Sequence, residues 1–229
     1  MNLGLTTSFI IGGLLLLTIG IFNMRLGQHS TELTLHQISK AHVEGLYQTV
    51  QNDLNKVGYN VLPDEPGCDS GNWMEPELLL ADSSRIAFSA NISGNPGSCN
   101  NIPTVMWELT EEEIAGSRNP DHRVLQRIES QFMEIDTPNH TVVTGAEEEE
   151  VESIELGVTR LEFRYYTADS NTPLNTPVPD WQLEMVQRIE VILELEPREG
   201  IRALDGGTRF PVTQWQKIIV PQNLNLEEE

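Results

Sequence analysis

The sequence predicts an α+β protein: a long N-terminal helix, membrane-embedded over its first half, packed on an antiparallel β-sheet domain. Three observations predict it. An uncharged apolar run opens the chain, an amphipathic repeat follows without a proline, and the rest alternates with period two between turn-rich loops. The divisions read as a transmembrane segment over 1–24, an amphipathic helix continuing the span over 25–60, and an acidic antiparallel β domain with a C-terminal tail over 61–229. At 229 residues the chain is long enough for one domain plus an appendage.

The opening run, Leu3 to Phe22, is 20 residues without a charge: twelve large apolar side chains, four Gly and four Ser or Thr. A helix of that length rises about 30 Å, the thickness of a bilayer's hydrocarbon core. A cleavable signal peptide would carry a basic start and a small-x-small cleavage site. Here no Lys or Arg precedes the run, and Asn23-Met24-Arg25-Leu26-Gly27 follows it, so an uncleaved span is expected. With Arg25 alone close to it, the span gives the positive-inside rule little to count. Gly4, Ser8 and Gly12 recur every four residues, a small-residue stripe that lets helices approach closely in lipid. Ordinary Gly and Ser usage is the alternative reading.

Beyond the span, Leu35, Ile38, Val43, Leu46, Val50, Leu54 and Val57 recur at intervals of three to five, with Gln37, Lys40, Glu44, Gln48, Gln51 and Asn55 between them. That is one apolar face of a helix. No proline occurs before Pro63, and Gly58 is placed to end the helix, so one helix over roughly 5–57 is expected. Gly27 with Ser30 marks a place where it can bend.

The strand-like runs are Arg85–Ile92, Thr104–Leu109, Val124–Ser130, Phe132–Ile135, Thr141–Thr144, Ile154–Thr167, Met185–Glu196 and Trp215–Val220. Alternation such as Leu161-Glu162-Phe163-Arg164-Tyr165 implies a sheet with one dry and one wet face. The amphipathic half of the helix is the natural cover for the dry face. The four acids Glu147–Glu150 read as a solvated loop, and Asn223–Glu229 as a polar tail.

Charge narrows the function. Lys and Arg number 14 and Asp and Glu 35, a net charge of −21, and residues 1–60 sum to zero. So acidic a domain lacks the basic face that nucleic acid requires, and nucleic acid is excluded as a partner. Cys68 and Cys99 both sit in turn-rich loops and suggest one disulfide in an oxidising compartment, closing a ring of about 30 residues worth roughly 3 kcal/mol. Two unrelated thiols are the alternative.

Catalytic signatures are missing: no G-x-S-x-G, Walker loop, H-E-x-x-H or dinucleotide fingerprint occurs, so neither a cofactor nor a small-molecule substrate is expected. Glu32 and His36 are four apart on the helix and read as two polar residues on a wet face rather than a metal pair. Asp64, Glu65 and Asp69, and the Asp169-Ser170-Asn171 loop, are oxygen-rich, but neither is an EF-hand, and both read as turns. Trp73, Trp107, Trp181 and Trp215 read as core or strand-end residues.

Three stretches carry a resemblance. Asp53-Leu54-Asn55-Lys56-Val57-Gly58-Tyr59 is similar to a D-[LI]-x-x-A-G-Y helix end. Arg85–Ile92, Thr104–Leu109 and Val124–Arg127 form a first strand series, and Val158–Tyr166 with Val186–Leu193 a later pair. In this order, after such a helix, they resemble the type IV pilin superfamily, and within it the minor pilins and pseudopilins of the PilW and type II secretion J-subunit kind. The resemblance implies a non-catalytic filament subunit with the membrane and other pilin-like subunits as partners, its β domain in the periplasm or outside the cell. The alternative function is a permanently anchored domain that binds a partner or ligand. The resemblance also implies a candidate processing site between Gly4 and Leu5. There the chain departs from the pattern: the leader has no basic residue, and the fifth position after the cut is Phe9 where the family usually has Glu.

Overall fold

A computed structural model of the chain describes residues 3–58, 78–90, 104–130, 133–136, 141–144, 149–202, 207–221 and 224. The fold is α+β, as the patterning predicts. Helix α1 runs from Leu3 to Leu54, 52 residues without interruption, through Gly27 and Ser30. At 1.5 Å per residue it is roughly 78 Å long. Its threonines keep their hydroxyls satisfied without leaving the helix: Thr18 donates to the Leu14 carbonyl at 2.8 Å and Thr31 to that of Gly27 at 3.0 Å. After Leu54 a turn leads to Gly58, whose φ of 71° is the left-handed conformation that favours glycine, and whose N–H donates to the Ser89 carbonyl at 2.9 Å. That glycine therefore both stops the helix and ties its end to the sheet.

The strands are β1 (Leu78–Ala81), β2 (Arg85–Ser89), β3 (Thr104–Glu113), β4 (Arg123–Ser130), β5 (Met133–Asp136), β6 (Thr141–Thr144), β7 (Glu149–Tyr166), β8 (Arg188–Leu195), β9 (Ile201–Arg202), β10 (Thr208–Arg209) and β11 (Thr213–Ile219). A short helix α2 (Asp180–Leu183) lies between β7 and β8. The main sheet has seven antiparallel strands in the order β1-β2-β3-β4-β7-β8-β11. It is a meander into which two hairpins, β5–β6 and β9–β10, are inserted. Every run expected to be a strand contains one. β1, β9, β10 and α2 were not legible: two residues show no period, Leu78–Ala81 is apolar throughout, and α2 is a single turn.

Register decides the faces. Leu161, Phe163 and Tyr165 of β7 lie opposite Leu193, Val191 and Ile189 of β8, and Trp215 and Ile219 of β11 lie opposite Leu193 and Ile189. This dry face receives Val43, Leu46, Val50 and Leu54 of the helix and Val57 of the turn after it, all buried in one core with Phe88, Val105, Trp107 and Leu125. Gly157 of β7, φ 81°, lies in the bulge where the register with β4 shifts, and the register with β8 shifts just after it, between Val158 and Arg160.

Three expectations need correction. Ile38 is exposed, and Ser39 faces the sheet instead, only 4% exposed. The steps 35-39-43-46-50-54 stay within three or four residues, whereas one position earlier the side chain swings about 100° off the face. Glu149 and Glu150 are not in a loop but open β7, opposite Ser130 and Glu129. Successive strand side chains point to opposite faces, so a run of acids need not crowd one face. Trp181 is neither core nor strand end: it stands on α2, 71% exposed.

Candidate functional site

The feature with functional content is α1 itself, free at one end and seated on the sheet at the other. The free half is long and apolar enough to cross a membrane, and none of its most apolar stretch is buried. Phe9, Leu14, Leu16, Ile19 and Phe22 are all exposed, an arrangement that water penalises and lipid does not. Gly4, Ser8 and Gly12 lie exposed on this half, and a Cβ at Gly4 or Gly12 would meet nothing within 4 Å. Leu5 follows on the same helix.

The seat is built from four ties along the helix. Nearest the free half, Arg209 of the β9–β10 hairpin pairs with Glu32. Next, the rings of Tyr47 and Trp215 stack with centroids 4.8 Å apart. Lys217 lies over the Tyr47 ring and donates to Gln51 Oε1 at 3.0 Å. At the last turn the buried Asp53 carboxylate accepts from Trp107 Nε1 at 3.1 Å and Arg127 Nε at 2.7 Å, and Arg127 also pairs with Glu129 at 3.2 Å. Burial works against the Arg127 charge, but the hydrogen bond and charge of Asp53, with Glu129 beyond, outweigh it and hold the guanidinium above its ordinary value. Glu32 and Asp53 are 21 residues apart, so the seat extends over roughly 30 Å of helix.

The opposite face of the sheet carries a small buried apolar cluster over β1–β4, of Leu80, Ala87, Met106 and Ile128, and is polar over β7 and β8. Arg160, Glu162 and Arg164 of β7 interlock with Glu190 and Glu194 of β8. Tyr166 Oη and Gln216 Nε2 donate to Glu190 at 2.7 and 2.8 Å. These side chains satisfy one another and cover Ile192, which is buried between them.

Other sequence candidates resolve as follows. Glu32 pairs with Arg209. Among the described residues no group of three or more His, Cys, Asp or Glu is placed to hold a metal ion. In the Asp169-Ser170-Asn171 loop, Ser170 Oγ donates to the Thr172 carbonyl and accepts from its N–H, and the Ser170 carbonyl accepts from Arg188, so the loop is a pinned turn. Trp107 is core and Trp215 part of the seat. Cys68, Cys99, Asp64, Glu65, Asp69 and Trp73 lie outside the described residues.

One cluster was missed. Ser117 Oγ lies 2.8 Å from His122 Nδ1, the contact of a nucleophile with its base. The ring is wholly buried, whereas Ser117 is partly exposed. Nothing in the spacing S-R-N-P-D-H signals this contact beyond a turn. Comparison of the chain with family models, with curated proteins and with solved structures finds no match.

Proposed function

We propose that the chain is a non-catalytic structural subunit, minor pilin-like or pseudopilin-like, of a type IV pilus or type II secretion-like filament. The observation that carries the reading is the division of α1: one unbroken helix, bare and apolar over its first half and clamped to an antiparallel meander over its second. Such a helix anchors a domain in lipid and offers the same apolar surface to neighbouring subunits. The D-L-x-x-x-G stretch supports it, since Asp53 and Gly58 are the residues that fasten the helix end. On this reading the partners are the membrane and other pilin-like subunits, and the β domain stands in the periplasm or outside the cell.

A second reading, a permanently anchored domain that binds a partner or ligand, is favoured by the amino end. Phe9 is 74% exposed where a filament subunit usually carries an acid. An acid at that position normally neutralises a neighbour's terminal ammonium, and an unpaired charge in lipid is costly. Mass spectrometry of the amino-terminal peptide from native membranes separates the two. A chain beginning at Leu5 with a methylated amine supports the filament subunit; a chain that retains Met1 supports the fixed anchor and overturns the pilin route.

A further inference from the structure

The connection between β3 and β4, residues 114–122, is fastened by a buried histidine. His122 is 0% exposed. Its Nδ1 contacts Ser117 Oγ, and that oxygen also accepts from the Asn119 N–H at 3.1 Å. Asn119 Nδ2 crosses to the Glu196 carboxylate just beyond β8. The Glu196 N–H donates in turn to the Gly157 carbonyl at 3.0 Å. A Cβ at Gly157 would stand 3.0 Å from His122 Cε1 and 2.5 Å from the Glu196 carbonyl oxygen, so ring, bulge and strand end are in direct contact. Nε2 makes no full hydrogen bond among the described residues, and the backbone of Glu196 is the one polar group that favours a proton on the ring from that side. A neutral imidazole needs one acceptor at most for its single N–H; the charged ring has two N–H groups to satisfy.

We propose that His122 is a pH-sensitive latch: neutral, it holds residues 114–122 against the Gly157 bulge and the segment after β8, and its protonation in mild acid releases them.

The neighbouring charges agree with this. Burial dominates and holds the imidazole below its ordinary value of 6.5; the Glu196 carbonyl and the Asp121 carboxylate oppose it, and Arg198 adds to it. The other charged groups nearby are engaged: Arg198 with Glu155 of β7, the Glu196 carboxylate with Asn119, and Arg123 of β4 with the Pro120 and His122 carbonyls. No carboxylate hydrogen-bonds the ring among the described residues. As pH falls through the ordinary imidazole value, the open loop takes up a proton first and the closed state loses ground. The segment that is freed leads into β9, whose hairpin holds Glu32 of α1. Acid therefore loosens the end of the sheet nearest the apolar half of the helix and leaves the Asp53 end closed.

Amide hydrogen exchange on the full chain in detergent micelles tests the latch, at about pH 7.5 and about pH 5, either side of the ordinary imidazole value. After correction for intrinsic rates, residues 114–122 and 196–200 lose about tenfold in protection on acidification. Helix residues 43–54 keep theirs. His122→Gln abolishes the pH dependence. Should that variant fail to fold, the titration of His122 in the wild-type chain, followed by ring nitrogen resonances, decides: a midpoint below the ordinary imidazole value of 6.5 sustains the latch, and a midpoint at that value overturns it. Unchanged protection in the wild-type chain overturns it, as does a loss shared equally by the whole sheet.

Discussion

Arg127, in the fourth strand of the sheet, and Asp53, in the last turn of the long helix, are joined at 2.7 Å across 74 residues of sequence. Both are nearly buried, with 11% and 7% of their side-chain surface exposed. Removing one partner of such a pair strands the other's charge, at a cost of about 3–5 kcal/mol. Asp53→Ala is expected to fall in that range and to leave Trp107 Nε1 without its acceptor. Asp53→Ala combined with Arg127→Met recovers part of the loss. Urea unfolding in detergent, followed by tryptophan fluorescence, checks both.

The outer face sets the acid limit. Burial pushes the Glu190 carboxyl up, but hydrogen bonds from Gln216 and Tyr166 and the charge of Arg164 reverse this and hold it below its ordinary 4.5. Glu162 behaves alike: burial raises it, and Arg160 and Arg164 more than reverse it. A depressed carboxylate contributes stability in full above the unfolded value, and that contribution is lost as pH falls from 4.5 through the lower folded value. Urea midpoints should therefore drop below about pH 4.5, and Glu190→Gln should be less stable at neutral pH with a shallower drop.

Two glycines with similar backbones should respond differently. Gly116 and Gly157 have φ of 76° and 81°. Alanine at Gly116 meets nothing within 4 Å and should cost only the left-handed backbone term, about 1–2 kcal/mol. At Gly157 the same term is joined by a Cβ only 2.5 Å from the Glu196 carbonyl oxygen, so that variant should be clearly the less stable in thermal unfolding.

The stack of Tyr47 on Trp215 should appear as a coupling. A double-mutant cycle with Tyr47→Ala and Trp215→Ala is expected to return about 0.5–1.5 kcal/mol beyond the lost area. A coupling of zero would mean the rings merely share a surface.

The bare half of the helix should partition into lipid. Leu15→Arg places a charge at the middle of the apolar run, which costs insertion about 3 kcal/mol. Carbonate extraction of membranes should retain the wild-type chain and release a substantial part of the variant.

Much of this was legible in order along the chain. Twenty uncharged residues declare a helix long and apolar enough to cross a membrane, a spacing of three to four declares a helix face, and Leu161-Glu162-Phe163 declares two sides of a strand. Gly58 announced its stop because few other residues tolerate that φ. These are local properties, set by the geometry of a helix or a strand and by the aversion of apolar side chains to water, and the sequence by itself determined them. What only the tertiary structure decided was which residues meet. Ser39 rather than Ile38 faces the sheet because the sheet's position selects the face. Asp53 finds Trp107 and Arg127, and His122 meets the Gly157 bulge, through strand register. Register is fixed by the summed burial of a whole face, so it is a property of all seven strands together and not of any one segment.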